Sequence, residues 1–401
     1  MTITPKWRRR RLAANRKLLK ILPLLLLLIA LPQRKSAHGG GIGSSTGIEI
    51  IRGPYLQYSE LRADQMTIVW ETSLPCTGAV LYGETGAYGK KKTSPKAALR
   101  HEVILDNLDP DRPYHYRVTA GDRFTGDYSF QPFPADRKSY RFIVYGDSRW
   151  GHGHHQSLMQ AMKAHPSDFL IHTGDFVTVG TSRGQWDNFF FVARSLAARV
   201  PIFPVVGNHE YVAGKCDIFK SVFKPPRNSP NPGLDYYFDT GNARFIIMDN
   251  RRVGKSSNEQ KSWLQDALES AKDEKKLAHR FVFFHQGIQS SGPHGPDQKL
   301  AKNGYIELLK KHDITLFTAG HDHMYERGLW EGIRYVVSGG GGAPVYTKEK
   351  NRGGTLKKSV ERHFISFKVD ENDITFDVVR ADGSLIESCS LTDKGYDCSQ
   401  P

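Results

Sequence analysis

The sequence predicts an all-β sandwich followed by an α/β layered domain. Between about residues 48 and 135, short alternating segments such as 66–70, 79–82 and 114–118 are separated by turns, a pattern typical of a β-sandwich. From Tyr140 onward, apolar strands alternate with stretches of helical spacing, which favours a sheet covered by helices. A chain of 401 residues has room for two or three domains.

The first domain carries a recognisable corner. Leu108-Asp109-Pro110 is followed by Tyr114-x-Tyr116-x-Val118, which resembles the signature of fibronectin type III-like modules. The resemblance implies that Tyr114 closes a corner against the backbone. We therefore assign residues 48–135 to a fibronectin type III-like β-sandwich.

The second domain, residues 138–401, is built from alternating elements. Gly and Asp clusters separate apolar runs of strand length from longer runs with helical period. The predicted strands are 141–145, 169–171, 202–206, 243–248, 281–284 and 314–317, with further β structure at 333–337, 364–369 and 374–379. The predicted helices are 157–164, 186–198, 259–271 and 305–312.

The formal charge of +14 lies mostly in the first 37 residues. That segment holds ten Lys and Arg residues and no acid, which leaves only +4 for the remaining 364 residues. A basic chain suggests a nucleic-acid partner only when the charge lies on the folded body. We therefore expect no nucleic-acid partner for the mature body.

The basic leader is ordered like a secretory signal. Its apolar core, residues 21–31, is too short to cross a bilayer, which needs about 20 apolar residues. We predict a signal peptide or short membrane anchor at 1–37, a Gly/Ser linker at 38–47 and export of the protein. Membrane contact is expected only through an uncleaved leader. The alternative is a basic arm that binds polyanions.

The sequence has four cysteines, and their pairing bears on whether the protein is exported. Cys389 and Cys398 flank a turn and can close a terminal hairpin by a disulfide, which an exported chain permits. Cys76 and Cys216 are interpreted as buried thiols. The sequence has no Cys-x-x-Cys pair, which argues against a thiolate zinc site.

Chemistry-bearing residues cluster where strands end. Twelve of the 16 histidines lie between Arg149 and His323. In α/β sheets, ligands gather beyond the carboxyl ends of the strands. Five strands end in a polar cluster: Gly146-Asp147-Ser148-Arg149, Gly174-Asp175, Gly207-Asn208-His209-Glu210, His285 and Gly320-His321-Asp322-His323.

These residue types are metal ligands. Carboxylates, an Asn carbonyl and neutral imidazoles suit Fe, Zn or Mn, and ligand type alone does not choose among them. Two ions about 4 Å apart can clamp a phosphate and activate a water. A single Gly-Asp is a common turn, but five such clusters in order, each after a strand, predict a metal site.

The order of motifs resembles the calcineurin-like metallophosphoesterases, and with the β-sandwich in front it resembles their purple acid phosphatase-type branch. The resemblance covers about residues 48–345. It implies two metal ions, divalent or trivalent. Asp147 and His323 would hold the first ion, Asp175 would bridge both, and Asn208, His285 and His321 would hold the second.

The resemblance also implies two catalytic, substrate-binding histidines. His209 would face the phosphate and assist the leaving group, and His294 matches a substrate-contacting histidine of purple acid phosphatases. In this family a metal-bound hydroxide attacks phosphorus in line.

Two positions depart from the family pattern. Most members have Asp-x-His at the first motif, whereas Arg149 stands here and has no lone pair to donate. Purple acid phosphatases have a Tyr three residues after the bridging Asp, whereas this chain has Thr178. In purple acid phosphatases the purple colour comes from a bond between this Tyr and iron, so the colour should be absent here. Arg149 is expected to bind the substrate phosphate or to form a surface ion pair. His152, His154 or His155 either substitutes as a ligand or begins a helix.

Two further stretches flank the last motif. Ser338-Gly339-Gly340-Gly341-Gly342 is not followed by Gly-Lys-Ser/Thr, so it is no P-loop. We interpret it as close backbone packing near the site. The basic stretch 348–358 is interpreted as an exposed loop, with a substrate rim as the alternative.

The sequence therefore predicts an exported binuclear phosphoesterase that acts on a small-molecule phosphate ester, in the manner of an acid phosphatase. One alternative is a phosphodiesterase or nucleotidase of the same fold. Another is a secreted binding protein whose catalytic site has decayed, as the residues at 149 and 178 would suggest. The sequence leaves the oligomeric state open.

Overall fold

The computed structural model describes residues 47–58, 62–132, 137–254, 259–274, 277–348, 350–393 and 395–400. These residues belong to one compact unit that extends from residue 44 to the end of the chain. The predicted signal or anchor and nearly all of the linker lie outside the described residues. Within the described ranges, no helix has both the length and the apolar character to cross a membrane.

In the N-terminal region, the residues that the structure describes form β-strands and no helix. These eight strands are β1 (Ile50–Gln57), β2 (Met66–Cys76), β3 (Gly78–Gly83), β4 (Lys90–Thr93), β5 (Ala98–Leu105), β6 (Tyr114–Ala120), β7 (Arg123–Phe124) and β8 (Tyr128–Phe130). One sheet has the order β1-β2-β5, and the other has β4-β3-β6-β7 with β8 also paired to β6. The all-β prediction for this region is confirmed.

Alternation of buried and more exposed side chains explains why this region forms strands. Along β6 every second residue is buried, as expected for a strand with one face on a core. Tyr116 from β6 and Trp70 from β2 lie in the same core. The hydroxyl of Tyr114 accepts a hydrogen bond from the backbone N–H of Asp109 at 2.9 Å, which is the corner that the resemblance implied. The domain boundaries and the fibronectin type III assignment stay predictions.

Strands and helices alternate from residue 139 onward. The strands are β9 (Ser139–Tyr145), β10 (Phe169–His172), β11 (Ile202–Pro204), β12 (Tyr236–Thr240), β13 (Ala243–Met248), β14 (His279–Phe284), β15 (Leu316–Ala319), β16 (Tyr325–Trp330), β17 (Ile333–Ser338), β18 (Thr355–Ser359), β19 (His363–Asp370), β20 (Asp373–Arg380), β21 (Leu385–Thr392) and β22 (Gly395–Ser399). The helices are α1 (His152–Lys163), α2 (Arg183–Ala197), α3 (Asp217–Val222), α4 (Glu259–Asp273), α5 (Gln298–Lys302) and α6 (Tyr305–Lys311).

Two seven-stranded sheets form the centre of this region. Their orders are β11-β10-β9-β19-β20-β21-β22 and β12-β13-β14-β15-β17-β16-β18. The sheets face each other across an aromatic core. There the ring of Phe142 from β9 packs on Phe245 and Phe281 of the other sheet, with ring centres 5.1 and 5.6 Å apart. Ile143, on the opposite face of β9, packs in the core that contains α1 and α2 residues. The predicted α/β layered fold is confirmed.

The parallel strands set the position of the site. Strands β9, β10 and β11 run parallel, and so do β13, β14 and β15. The carboxyl ends within each set therefore meet at one edge. The chain turns there into the polar clusters that the sequence analysis singled out.

The cysteine predictions are confirmed. Cys389 and Cys398 form a disulfide across the hairpin of β21 and β22. Cys76 and Cys216 are buried free thiols.

A buried histidine outside the site predicts acid sensitivity. Burial lowers the pKa of His363 to about 4, below the usual 6.5 or so. Unfolding lets this group bind a proton between pH 6.5 and 4, so acid in that window favours the unfolded state. We expect His363→Gln to reduce the slope of the unfolding free energy against pH by roughly 1.4 kcal/mol per pH unit there. Urea unfolding from pH 7 to 4.5 measures it. The exposed His154, changed to Gln, is the control, and an unchanged slope for His363→Gln would contradict the assignment.

Candidate metal centre

Every predicted metal ligand follows the carboxyl end of a strand. Three of them, Asp147, Asp175 and His321, adopt left-handed backbone conformations with φ of 59°, 59° and 70°. Such conformations cost non-glycine residues roughly 1 kcal/mol or more and cluster at functional sites. The positions are Asp147 after β9, Asp175 after β10, Asn208 and His209 after β11, His285 after β14, and His321 and His323 after β15.

The set expected for the second ion converges. His285 donates from Nδ1 to the carbonyl of Thr173 at 2.8 Å, so its Nε2 carries the lone pair. That Nε2 lies 3.0 Å from Asn208 Oδ1 and 3.3 Å from Asp175 Oδ1. His321 Nδ1 lies 3.2 Å from the same nitrogen. Ligand atoms of Asp175, His285 and His321 all lie within 4.8 Å of one another.

The electrostatics of this cluster suit a cation. Burial lowers the pKa of His285 and lowers that of His321 to about 2, so both imidazoles are neutral at ordinary pH. His285 Nε2 therefore faces two oxygen acceptors without a proton between them. Facing lone pairs are unfavourable unless a cation binds them all. Mixed carboxylate, amide oxygen and imidazole donors fit Zn, Fe or Mn.

The pair expected for the first ion is arranged differently. Asp147 is fully buried, and its Oδ2 accepts from the backbone N–H of His321 at 2.9 Å. Its Oδ1 has no hydrogen-bond partner and lies 3.5 Å from His323 Nε2. Burial and the charge of Asp175 raise the pKa of Asp147 well above its usual value, and a nearby cation would stabilise its charged form.

Arg149 lies within this first set. Its Nε donates to Asp175 Oδ2 and its Nη2 to His323 Nε2, both at 3.2 Å. The side chain is only 12% exposed, so Arg149 forms an ion pair with Asp175 as the alternative expected, but the pair is buried rather than on the surface. Arg149 also borders a cavity of about 110 Å³, whose wall includes Trp150 and Phe189.

The structure places both predicted catalytic histidines at the site. His209 donates from Nδ1 to the carbonyl of Thr178 at 2.8 Å, which leaves Nε2 3.8 Å from Asp175 Oδ2. His294 is exposed, and its ring centre lies 4.5 Å from that of His321. Thr178 therefore orients His209 through its backbone, while its own side chain takes no part in the contacts described.

Tyr346 also lies at the site, although the sequence did not predict it. Its ring stacks on His323 with centres 4.3 Å apart, and its hydroxyl lies 3.0 Å from His294 Nε2. Burial raises the pKa of its phenol to about 12, so the hydroxyl keeps its proton. No periodicity or motif marks this Tyr. The one available signal is its place four residues after Gly342, the end of the Gly-rich segment.

Glu210 is a second residue whose role the sequence did not reveal. Its Oε2 accepts from the backbone N–H groups of Asp175 and Gly207, at 2.9 and 2.8 Å. Its Oε1 accepts from Phe176 at 2.9 Å and Val177 at 3.3 Å. One buried carboxyl thus ties the loop after β10 to the loop after β11.

The three histidines near Arg149 do not act as substitute ligands. His152 is the first residue of α1 and contacts Asn188. His155 is buried with its Nε2 3.4 Å from the hydroxyl of Tyr145, and His154 is exposed. The helix-start interpretation is confirmed.

The Gly-rich segment packs as predicted. The backbone N–H of Gly341 donates to the carbonyl of Gly146 at 2.7 Å, and a Cβ on Gly341 would lie 2.1 Å from that oxygen. A Cβ on Gly339 would lie 2.3 Å from the carbonyl of Asp322. Larger residues would push this segment away from the loop after β9.

The exposed-loop interpretation of residues 348–358 is partly wrong. Thr355–Ser359 form β18, which pairs with β16. Arg352 donates from Nη1 to the carbonyls of Ser290 and Gly292, at 2.9 and 2.6 Å. Through these hydrogen bonds, Arg352 helps to hold the segment that carries His294.

Comparisons with known proteins identify the domain that carries these residues. Residues 140–325 match the family model described as calcineurin-like phosphoesterase. An uncharacterized protein of Mycobacterium tuberculosis is 24% identical over 333 residues, which cover 70% of this chain and 63% of the relative. Probable inactive purple acid phosphatase 24 of Arabidopsis thaliana is 22% identical over 360 residues, covering 70% and 58%. The chain thus spans less than two thirds of the length of these relatives.

A solved structure shows the same fold. Purple acid phosphatase PPD1 from yellow lupin, Lupinus luteus, superposes with a TM-score of 0.69 at 20% identity, covering 84% of this chain and 74% of that one. The family model begins at β9 and ends at β16, and so contains all the strand ends described above. Residues 140–325 therefore form a calcineurin-like phosphoesterase domain.

Proposed function

We propose that the chain is an exported, metal-dependent phosphoesterase that hydrolyses small-molecule phosphate esters. The observation that carries the proposal is the convergence of Asp175, Asn208, His285 and His321 on one point, with His209 beside it. Neutral imidazoles and oxygen donors that face one another have no evident structural purpose without a cation. The proposal of export rests on the leader alone.

A bound ion would supply Lewis acidity, which neutralises phosphoryl oxygens and lowers the pKa of a water towards 7 or so. The protein's own residues do the rest. Arg149 places a positive charge beside Asp175 and His323, where a guanidinium can donate hydrogen bonds to a phosphate. His294 and Tyr346 lie together next to His321 and His323, where they can donate hydrogen bonds to phosphoryl oxygens.

His209 is placed to move a proton. The Thr178 carbonyl fixes its ring by holding Nδ1–H, so Nε2 is the atom that faces the reacting groups. When His209 is protonated, Nε2–H can donate to the leaving-group oxygen as the bond to phosphorus breaks. This assistance matters most for leaving groups of high pKa.

We expect His209→Asn to lower kcat by roughly 10²–10⁴-fold for alkyl phosphates, and by much less for 4-nitrophenyl phosphate. The measurement is kcat across leaving groups of graded pKa. His154→Asn, on the exposed face of α1, is the matched control. An equal loss for every leaving group would remove His209 from the role of proton donor.

A substrate panel tests the function itself. Protein reconstituted with Zn, Fe or Mn is assayed on aryl phosphate monoesters and diesters and on nucleotides. Turnover of monoesters supports the phosphatase proposal, and turnover confined to diesters or nucleotides selects the alternative. Absence of turnover with every metal supports a decayed binding protein, which the name of the inactive Arabidopsis relative makes a specific alternative.

A further inference from the structure

The guanidinium of Arg149 lies between two of the groups expected to hold the first ion. It donates from Nε to Asp175 Oδ2 and from Nη2 to His323 Nε2, each at 3.2 Å. The third group, Asp147, lies next to it, with Oδ1 3.5 Å from the same nitrogen of His323. A positive charge is therefore already present among these ligand atoms.

Arg149 also occupies the lone pair of His323 that an ion would need. His323 donates from Nδ1 to the carbonyl of Pro344 at 2.6 Å, so its only lone pair is on Nε2. That lone pair accepts from Arg149, since a guanidinium is a donor only. Asp175 Oδ2 also accepts from Arg149 and keeps a second lone pair, while Asp175 Oδ1 faces His285 in the second set.

The guanidinium is held in place. The Arg149 side chain is 12% exposed, and its backbone N–H donates to the carbonyl of Asp175 at 3.3 Å. Tyr346 stacks on His323, and His323 holds one end of the guanidinium. An ion in contact with Asp175 Oδ2 and His323 Nε2 would collide with the guanidinium and be repelled by its charge.

We propose that Arg149 takes the place of the first metal ion, so that the centre binds a single ion through Asp175, Asn208, His285 and His321. This inference rests on the proposed function and makes it more specific. The charge that a second ion would supply comes from a residue that cannot dissociate or be chelated. Asp147 Oδ1, which has no hydrogen-bond partner, remains as an open acceptor at the first position.

Counting ions tests the proposal without relying on activity. Chelator-treated full-length protein is dialysed against Zn²⁺, and bound metal per chain is measured by elemental analysis. We expect one ion in the wild type and two in Arg149→His, because the imidazole removes the charge and adds a lone pair beside Asp147. Arg183→His, at the exposed start of α2, is the matched control and should stay at one.

Other ion counts would contradict either the role of Arg149 or the proposed function. Two ions in the wild type would overturn the role of Arg149 and leave the phosphoesterase proposal intact, whereas no bound ion would count against the proposed function itself. One ion in a folded Arg149→His, judged by circular dichroism, would also overturn it. Should that variant fail to fold, Arg149→Ala replaces it. Arg149→Ala removes the guanidinium and is expected to bind a second, weaker ion through the remaining ligands, and its failure to do so would contradict the proposal.

Discussion

His285→Ala is expected to abolish both metal binding and hydrolysis. His285 Nε2 is the atom on which the other ligands converge, at 3.0 Å from Asn208 Oδ1 and 3.2 Å from His321 Nδ1. Its loss removes the central one of four donors and leaves an Asn oxygen, a carboxylate and one imidazole. We expect kcat to fall at least about 10³-fold, more than loss of one transition-state hydrogen-bond donor costs.

The measurement combines bound metal per chain with kcat on an aryl phosphate. His154→Ala serves as the control because His154 is an exposed histidine on α1. The His285 variant should keep its far-ultraviolet spectrum, since Ala fills the start of a loop rather than a strand position. Wild-type metal content in His285→Ala would contradict the ligand assignment.

Glu210→Ala is expected to give the largest loss of stability. The substitution leaves four buried backbone N–H donors without an acceptor, those of Asp175, Phe176, Val177 and Gly207. Each unsatisfied buried donor costs about 1–3 kcal/mol, and relaxation of the loops recovers part of the sum. We expect the free energy of unfolding to fall by about 3–5 kcal/mol.

The same variant should lose activity even where it remains folded, because Glu210 ties the loop of Asp175 to the loop of Asn208. Urea unfolding and kcat on the same samples measure both effects. Glu307→Ala removes an exposed carboxylate on α6 and should change stability by less than roughly 0.5 kcal/mol. A loss at Glu210 no larger than at Glu307 would show that the carboxyl does not hold the loops.

The layered fold and the meeting of the candidate ligands at one edge were predictable because both depend on strands. Apolar runs of strand length mark β9, β10, β14 and β15, and parallel strands bring their carboxyl ends to one edge. The polar residue after each run is therefore expected at that edge of the sheet. Asp147, Asp175, Asn208, His285 and His321 were named by that argument and by the family resemblance.

The parts that escaped prediction depend on long-range contacts. Tyr346 reaches the site because the Gly-rich segment packs on the loop after β9, and no local pattern reports that approach. The acceptor role of Glu210 requires amides from a loop more than 30 residues away. Arg149 was identified as a departure from the family pattern, but only the geometry shows its guanidinium among the first ligands.

Short elements were missed for a different reason. The helices α3 and α5 have six and five residues, too few for a helical period to stand out. Strand β18 has a basic sequence and lies at the edge of its sheet, so it lacks the apolar alternation that identifies other strands. The strand forms because it pairs with β16, and nothing in its own composition indicates that pairing.

Removal and restoration of the metal tests the central claim most directly. Turnover of an aryl phosphate is measured on the chelator-treated protein and again as Zn²⁺, Mn²⁺ or Fe is titrated back. We predict that turnover is lost with the metal and returns in proportion to the ion bound, with Asn208→Ala failing to recover. Full turnover by protein shown to be metal-free would contradict the account.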